Sequence, residues 1–321
     1  MSFKVIIARD FGHMSEIGAG IVIDNIQEAL SRKGEFVLGL ATGNSPTGLY
    51  KNLAVAANGR VFDAGKITSF NLDEYIGLPG ENAQQRALHP ESYSYFMIQE
   101  LFGSMDRKFR ETYVPWGTLI DQQQLDQELA ARPGDWEAQG TDRGKAIVIR
   151  PDAASDYLRW IRTSVLDAYE NQIKSRGGID LHIIGVGGRG HVAFHESGIP
   201  FAGNRMLLVQ LDDNTIDNAV ADGHFQRRDD SPRYAISMGA ELVYEAKTVL
   251  LLANGKRKAE PVVESLLSDP TALIPISYGK KYAETGGDMI YVIDLAAAQN
   301  VLANAEKIKG RGIEIEDRTR K

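Results

Sequence analysis

Cysteine is absent from all 321 residues. That removes disulfides, thiolate metal ligands and thiol catalysis together, and it suits a reducing compartment. No apolar run approaches the length that spans a bilayer. The opening stretch MSFKVIIARDFGHMSEIG carries Asp10 and Glu16 where a secretory signal would have its apolar core. Positive charge is not in excess: 36 Lys and Arg stand against 43 Asp and Glu, for a net charge of −7. A nucleic-acid footprint needs a basic face, so none is expected, although local basic pockets for phosphate are compatible with this balance. Repeats and low-complexity tracts are also missing. These absences predict a cytoplasmic protein with no nucleic-acid and no membrane partner.

What is present is the composition of a globular chain: 43% hydrophobic and 25% charged residues, enough for a substantial core. Short apolar, β-branched runs alternate with stretches of helical spacing. KVIIA (4–8), FVLGLATG (36–43), ITSFNLDEY (67–75), IDLHIIGVGG (179–188), YAISMG (234–239), TVLLLANG (248–255) and MIYVIDL (289–295) read as strands. Residues 14–33, 45–57, 154–174, 256–267 and 296–308 read as helices, the second with Ser45 as its cap and Pro46 in its first position. This alternation predicts an α/β class: a Rossmann-like open, mostly parallel sheet with helices on both faces. Residues 116–150 break the rhythm. They are polar, contain Pro133, Gly134 and Gly140, and look helical only over 119–131. The expectation is one domain over 1–321 with an inserted excursion at about 116–150.

In such sheets ligands sit at the carboxyl ends of strands. The segments there are ATGNSP, NLDEY, GVGGRGH and ANGKRK. GVGGRG fits G-x-G-x-x-G, and Asp212 and Asp213 follow about twenty residues on, where a dinucleotide fold keeps a ribose-binding acid. Yet the pattern lies past mid-chain and leads into HVAFHESGIPFAG, whose glycine and proline come too soon for a long helix. The metal reading of His191, His195 and Glu196 has the wrong spacing for H-E-x-x-H. A catalytic His191 and a non-ligand His195 suit the stretch better. Gly187 and Gly188 would let backbone amides approach a sugar phosphate. Thr42, Gly43, Asn44 and Ser45 precede a helix N-terminus, a place that favours an anion. Capping alone would explain Ser45 but not the Thr-Gly-Asn before it. Asp73 and Glu74 are adjacent on a strand, so they point to opposite faces and are expected to have different roles.

Taken together, FVLGLATGNSPTGLYKNL, ITSFNLDEYIGLPGENAQQRALHPESYSYFM, GVGGRGHVAFHE, PRYAISMG and LLANGKRKAEPV resemble the glucosamine-6-phosphate deaminase/isomerase family, in order and over most of the chain outside 116–150. The resemblance implies an aldose–ketose isomerase/deaminase that turns an amino-sugar 6-phosphate into a ketose phosphate and ammonia, with no cofactor and no metal. It implies that Asp73 moves a proton between C1 and C2, that His191 opens the sugar ring, and that Glu196 orients His191. Thr42, Gly43, Asn44, Ser45, Gly187, Gly188 and Lys258 would bind substrate, with Lys258 on its phosphate. It further implies a homo-oligomer.

Three departures from the family pattern stand out. Arg189 occupies the place of an aspartate two residues before the histidine, in the catalytic stretch. An arginine there would draw on Glu196, the same carboxylate that balances His191. The family's phosphate-binding arginine has no clear match: His224 or a neighbour aligns there, and Arg227 needs a shifted register. The basic residues of an activator site have no match in FAGNRMLLVQL, where only Arg205 is cationic. Two alternatives follow: a non-catalytic sugar-phosphate sensor, or a hydrolase of the 6-phosphogluconolactonase type, which shares the G-x-G-x-D-G-H loop.

Overall fold

The chain was analysed as a computed structural model that describes residues 2–221 and 223–320. Thirteen strands are formed among the described residues: β1 (Ser2–Ala8), β2 (Phe36–Leu40), β3 (Ile67–Asn71), β4 (Asp73–Ile76), β5 (Glu111–Tyr113), β6 (Trp136–Gln139), β7 (Lys145–Ile149), β8 (Leu181–Ile184), β9 (Met206–Gln210), β10 (Tyr234–Met238), β11 (Thr248–Ala253), β12 (Asp288–Asp294) and β13 (Glu314–Asp317). Eight make one sheet in the order β13-β1-β12-β11-β8-β2-β3-β5. Every pairing in it is parallel. Its central strands β2, β3, β8 and β11 are buried at every residue. Burial on both sides of a strand requires cover on both faces, and it explains why these strands read as unbroken apolar runs.

Helix α1 (Phe11–Lys33) supplies part of that cover, packing against β1, β2, β11 and β12. Its ends are written locally. Asp10 caps it by accepting from the His13 amide, and Gly34 ends it at φ 78°, a conformation glycine adopts without a Cβ penalty. Helix α2 (Thr47–Asn58) begins two residues later than Ser45. Pro46 occupies the cap without a side-chain bond, while the Ser45 hydroxyl donates to Asn254 Oδ1 at 2.8 Å. The expected Ser45 cap is therefore replaced by a bond to the loop after β11.

The remaining strands form an antiparallel sheet, β4-β10-β9-β7-β6. It changes three expectations. ITSFNLDEY is two strands, not one. The chain leaves the parallel sheet at Leu72, whose amide donates to Leu40 and whose carbonyl accepts from Met238. YAISM lies in the antiparallel sheet. The excursion at 116–150 is more than polar loop: after a helix at Gln122–Ala131 its hairpin β6–β7 extends that sheet through β9. The side chains alternate as a two-sided sheet demands. Ile147, Ile149, Leu208, Tyr234 and Ile236 enter one core, while Ala146, Leu207, Val209 and Ala235 enter another. The helix expected at 154–174 runs Asp156–Lys174 with a π-helical stretch at Ile161–Asp167. That expected at 296–308 is divided at Asn304 into Gln299–Ala303 and Ala305–Gly310. Among the described residues no helix is long and apolar enough to cross a membrane.

Candidate active site

Strands β11, β8, β2 and β3 are neighbours, and because they run parallel their carboxyl ends share one edge. The four loops singled out from the sequence leave that edge side by side. Two bonds tie them together. Ser45 reaches Asn254 across the β2 and β11 loops, and Lys258 Nζ donates to Val186 O at 2.7 Å, joining the segment after β11 to the loop after β8. Gly43 and Asn44 are exposed, with Gly43 at φ 90°, and Thr42 and Ser45 are half-buried.

Asp73 stands where the two sheets meet, just past Leu72 and paired with Ser237 of β10. It is buried, and no hydrogen-bond donor among the described residues meets its carboxyl. Burial pushes it well above the usual carboxylate range, and the neighbouring Glu74 adds to the rise. Glu74 points the other way, as strand alternation requires. It caps the helix Tyr93–Glu100, accepting from the Ser92 hydroxyl and from the amides of Tyr93 and Ser94 at 2.9–3.0 Å, with further donors from Tyr75 N and Ser94 Oγ. Burial raises Glu74 too, but these donors to its charged form pull it back. Two adjacent carboxylates are thus divided: one is anchored at a helix start, and the other is buried without a donor.

In the loop after β8, His191 Nδ1 lies 3.2 Å from Glu196 Oε2. The imidazole keeps partial exposure, at 19%, while Glu196 is buried at 4%. Glu196 accepts in addition from Thr215 Oγ1 at 2.6 Å and the Asp212 amide at 3.3 Å. Burial alone would raise its carboxyl, yet the bond and charge of His191, with Thr215 and Asp212, leave it below the usual range. Gly187 has no room for a side chain: a Cβ there would fall inside contact distance of the His191 ring. Its amide is also occupied, donating to the His191 carbonyl at 3.3 Å. Gly188 is exposed. His195 is buried, bonded through Nδ1 to the Ala240 amide and through Nε2 to the Ile199 carbonyl at 3.0 Å each. Burial pushes it down to about 4, so it is a neutral packing residue. Among the described residues no group of three or more His, Asp or Glu is arranged to hold a metal ion.

Arg189 does not share Glu196 with His191. Its guanidinium lies 2.6 Å from Asp142 Oδ2 and 3.9 Å from Asp212 Oδ2. The expected competition for one carboxylate is relieved by Asp142, which comes from the excursion and which no local sequence pattern connects with the loop. Of the two residues considered for the missing arginine, His224 pairs with Glu91 at 2.8 Å and Arg227 with Asp230 at 2.9 Å. Arg205 is enclosed by Glu170 at 2.6 Å, by Glu241 and by Glu245.

No family model matches the chain. Curated proteins do. It is 34% identical over 319 residues to the glucosamine-6-phosphate deaminase of Shewanella loihica, covering 98% of this chain and 94% of the relative. It is 33% identical over 300 residues to that of Shewanella halifaxensis, covering 93% and 91%. The chain belongs to the glucosamine-6-phosphate deaminase family. Among solved structures, a monomeric glucosamine-6-phosphate deaminase of the NagB superfamily matches with TM-score 0.69 and 28% identity, over 92% of this chain and 99% of that one. The 6-phosphogluconolactonase of Trypanosoma brucei shares the fold at TM-score 0.58 and 16% identity, over 94% of this chain and 100% of that one. As a deaminase family member the chain carries DEY, HPESY and the histidine loop; Asp142 and Thr215 join the site from segments that the sequence left unassigned, and Asn254 from a strand-end loop it had singled out without giving Asn254 a role. Thr215 opens the helix Asp213–Ala221, and only the fold brings it to Glu196.

Proposed function

We propose that the protein converts glucosamine 6-phosphate and water to fructose 6-phosphate and ammonia. The observation that carries the reading is the division of labour among carboxylates. Asp73 is buried, donor-free and at the edge of the loops, as a base needs to be. Glu196 is committed to His191, as an orienting residue needs to be. His191 opens the pyranose by moving a proton between the ring oxygen and the C1 hydroxyl. Asp73 then takes the proton from C2 and returns it to C1, while O1 gains the proton that the C2 amino group gives up. C1 becomes an alcohol and C2 an imine, with no net oxidation. Water hydrolyses the imine to the ketone and releases ammonia. Thr42, Gly43, Asn44 and Ser45, before the start of α2, receive the phosphate together with Lys258, and Gly187 and Gly188 flank the sugar. The reading also takes the protein as cytoplasmic and as an assembly of identical chains. Light scattering checks the last point: a mass near the 35.3 kDa of one chain would overturn it.

A panel of hexose and hexosamine 6-phosphates, assayed for ammonia and for ketose, tests the activity. Ammonia and ketose in equal amounts from the hexosamine are expected. Tight binding without product would instead make the protein a sensor. Hydrolysis of a 6-phosphogluconolactone, unaffected in Asp73→Asn, would make it a lactonase.

A further inference from the structure

The turn between β6 and β7, residues 140–144, touches the histidine loop at nearly every position. Thr141 N donates to Gly198 O at 3.1 Å. Asp142 Oδ2 accepts from Arg189 at 2.6 Å and from the Ser197 hydroxyl at 2.8 Å. Arg143 pairs with Asp213. Gly144 N donates to Asp212 Oδ2 at 3.1 Å, and a Cβ on Gly144 would lie 2.7 Å from Glu196 Cβ. The Asp212 amide in turn holds Glu196. Arg189 itself sits at φ 57°, a left-handed conformation that is unfavourable for a residue with a Cβ. A strained backbone therefore presents a long cation to a carboxylate from another segment.

We propose that Asp142 is a positioning residue for the His191–Glu196 pair: it holds and neutralises the Arg189 guanidinium, so that this cation does not compete for Glu196. The charged groups around the pair are few and placed. Arg189 and Glu196 come from the histidine loop itself. Asp142 and Arg143 come from the turn. Asp212, Asp213 and Asp217 come from the start of the next helix, where Arg228 pairs with the last two. Lys258 sits beneath the loop on the Val186 carbonyl. Arg189, Asp142, Arg143, Asp212, Asp213 and Asp217 line an open cavity of about 420 Å³. With Asp142 removed, the carboxylate left within 4 Å of Arg189 is Asp212, at 3.9 Å and already bonded to Gly144, and the Asp212 amide is one of the donors that hold Glu196.

The test measures the pH midpoint of the His191 ring resonance by NMR, assigned by its loss in His191→Gln. Asp142→Asn leaves Arg189 uncompensated and is expected to lower the midpoint. Arg189→Gln leaves Asp142 uncompensated and is expected to raise it. The double variant removes both charges and is expected to return the midpoint to that of the wild type. Opposite shifts that cancel support the proposal; a midpoint unmoved in both single variants, or not restored in the double, overturns it. Should Asp142→Asn fail to fold, Arg189→Gln alone still decides: a raised midpoint supports the proposal and an unmoved one overturns it. The kinetic counterpart rests on the deaminase reading. In Asp142→Asn, kcat at neutral pH falls about tenfold with KM within about twofold, and the double variant recovers it. Absence of wild-type turnover across the panel would sink that reading and leave the ring titration to judge Asp142.

Discussion

Asp73 and Glu74 differ by one position and one methylene, yet the fold treats them as opposites. Glu74 has five donors and a helix to cap, while Asp73 has burial and no donor. Burying Asp73 in this way costs stability whenever it is ionised. Its folded-state pKa lies above the ordinary 3.8, so its contribution is most favourable below that pH and is lost as pH rises through the folded value. Asp73→Asn, which cannot ionise, is therefore expected to unfold at a higher temperature than the wild type at pH 7, with the gain shrinking on acidification toward pH 4. Calorimetry across that range checks it; a lower melting temperature at pH 7 would contradict the assigned burial cost. Gly187 offers a second residue-scale test. A methyl group there falls on the His191 ring at its Nε2, so the ring is expected to be displaced. Gly187→Ala is expected to lose at least about 10²-fold in kcat, as when a positioned acid–base group is misplaced, while circular dichroism stays that of the wild type.

At the scale of elements, the short helix Tyr93–Glu100 carries the site indirectly. Ser92 caps it, accepting from Tyr95 N and donating toward Glu74 and the Ala87 carbonyl. Ser92→Ala removes the cap and one donor to a buried carboxylate. A loss of about 1–2 kcal/mol is expected, read as a lowered denaturant midpoint with an unchanged slope. The sequence made much of this scale legible. The buried parallel strands announce themselves as apolar runs, and Asp10 and Gly34 mark the ends of α1 as caps should. It hid the antiparallel sheet because β6 is short with its middle residues exposed, and because the division at Leu72 depends on backbone bonds to Leu40 and Met238, far away in sequence. Asp73, at the start of β4, and His191, Glu196 and Lys258, in the segments after β8 and β11, all follow strands that end at one sheet edge, as strand-end logic anticipated. Asp142 and Thr215 were not legible, because neither sits at the end of a parallel strand. The sequence also did not show that the His191 ring, four residues further along the loop, lies over Gly187 and excludes a Cβ there.

At the scale of the whole molecule, several arginines are held by carboxylates from other segments. Arg205, the one cation in FAGNRMLLVQL, is enclosed by Glu170, Glu241 and Glu245. An anionic activator would have to displace three carboxylates there, and coupling between sites requires contacts that differ between two states. N-acetylglucosamine 6-phosphate is therefore expected to leave the saturation curve hyperbolic and unchanged in midpoint; a sigmoidal curve made hyperbolic by that compound would contradict this. The large parallel sheet sets the common edge, the antiparallel sheet sets Asp73 at the junction, and the hairpin from the excursion supplies the counter-charge to Arg189. The account rests above all on Asp73 as the base that moves the proton between C2 and C1. Its most direct test is the rate of ammonia and fructose 6-phosphate formation from glucosamine 6-phosphate by the wild type and by Asp73→Asn, with substrate binding measured in parallel. The expected result is turnover by the wild type, a fall of about 10²–10⁴-fold in the variant, and binding that survives. Near-normal turnover by Asp73→Asn would contradict it.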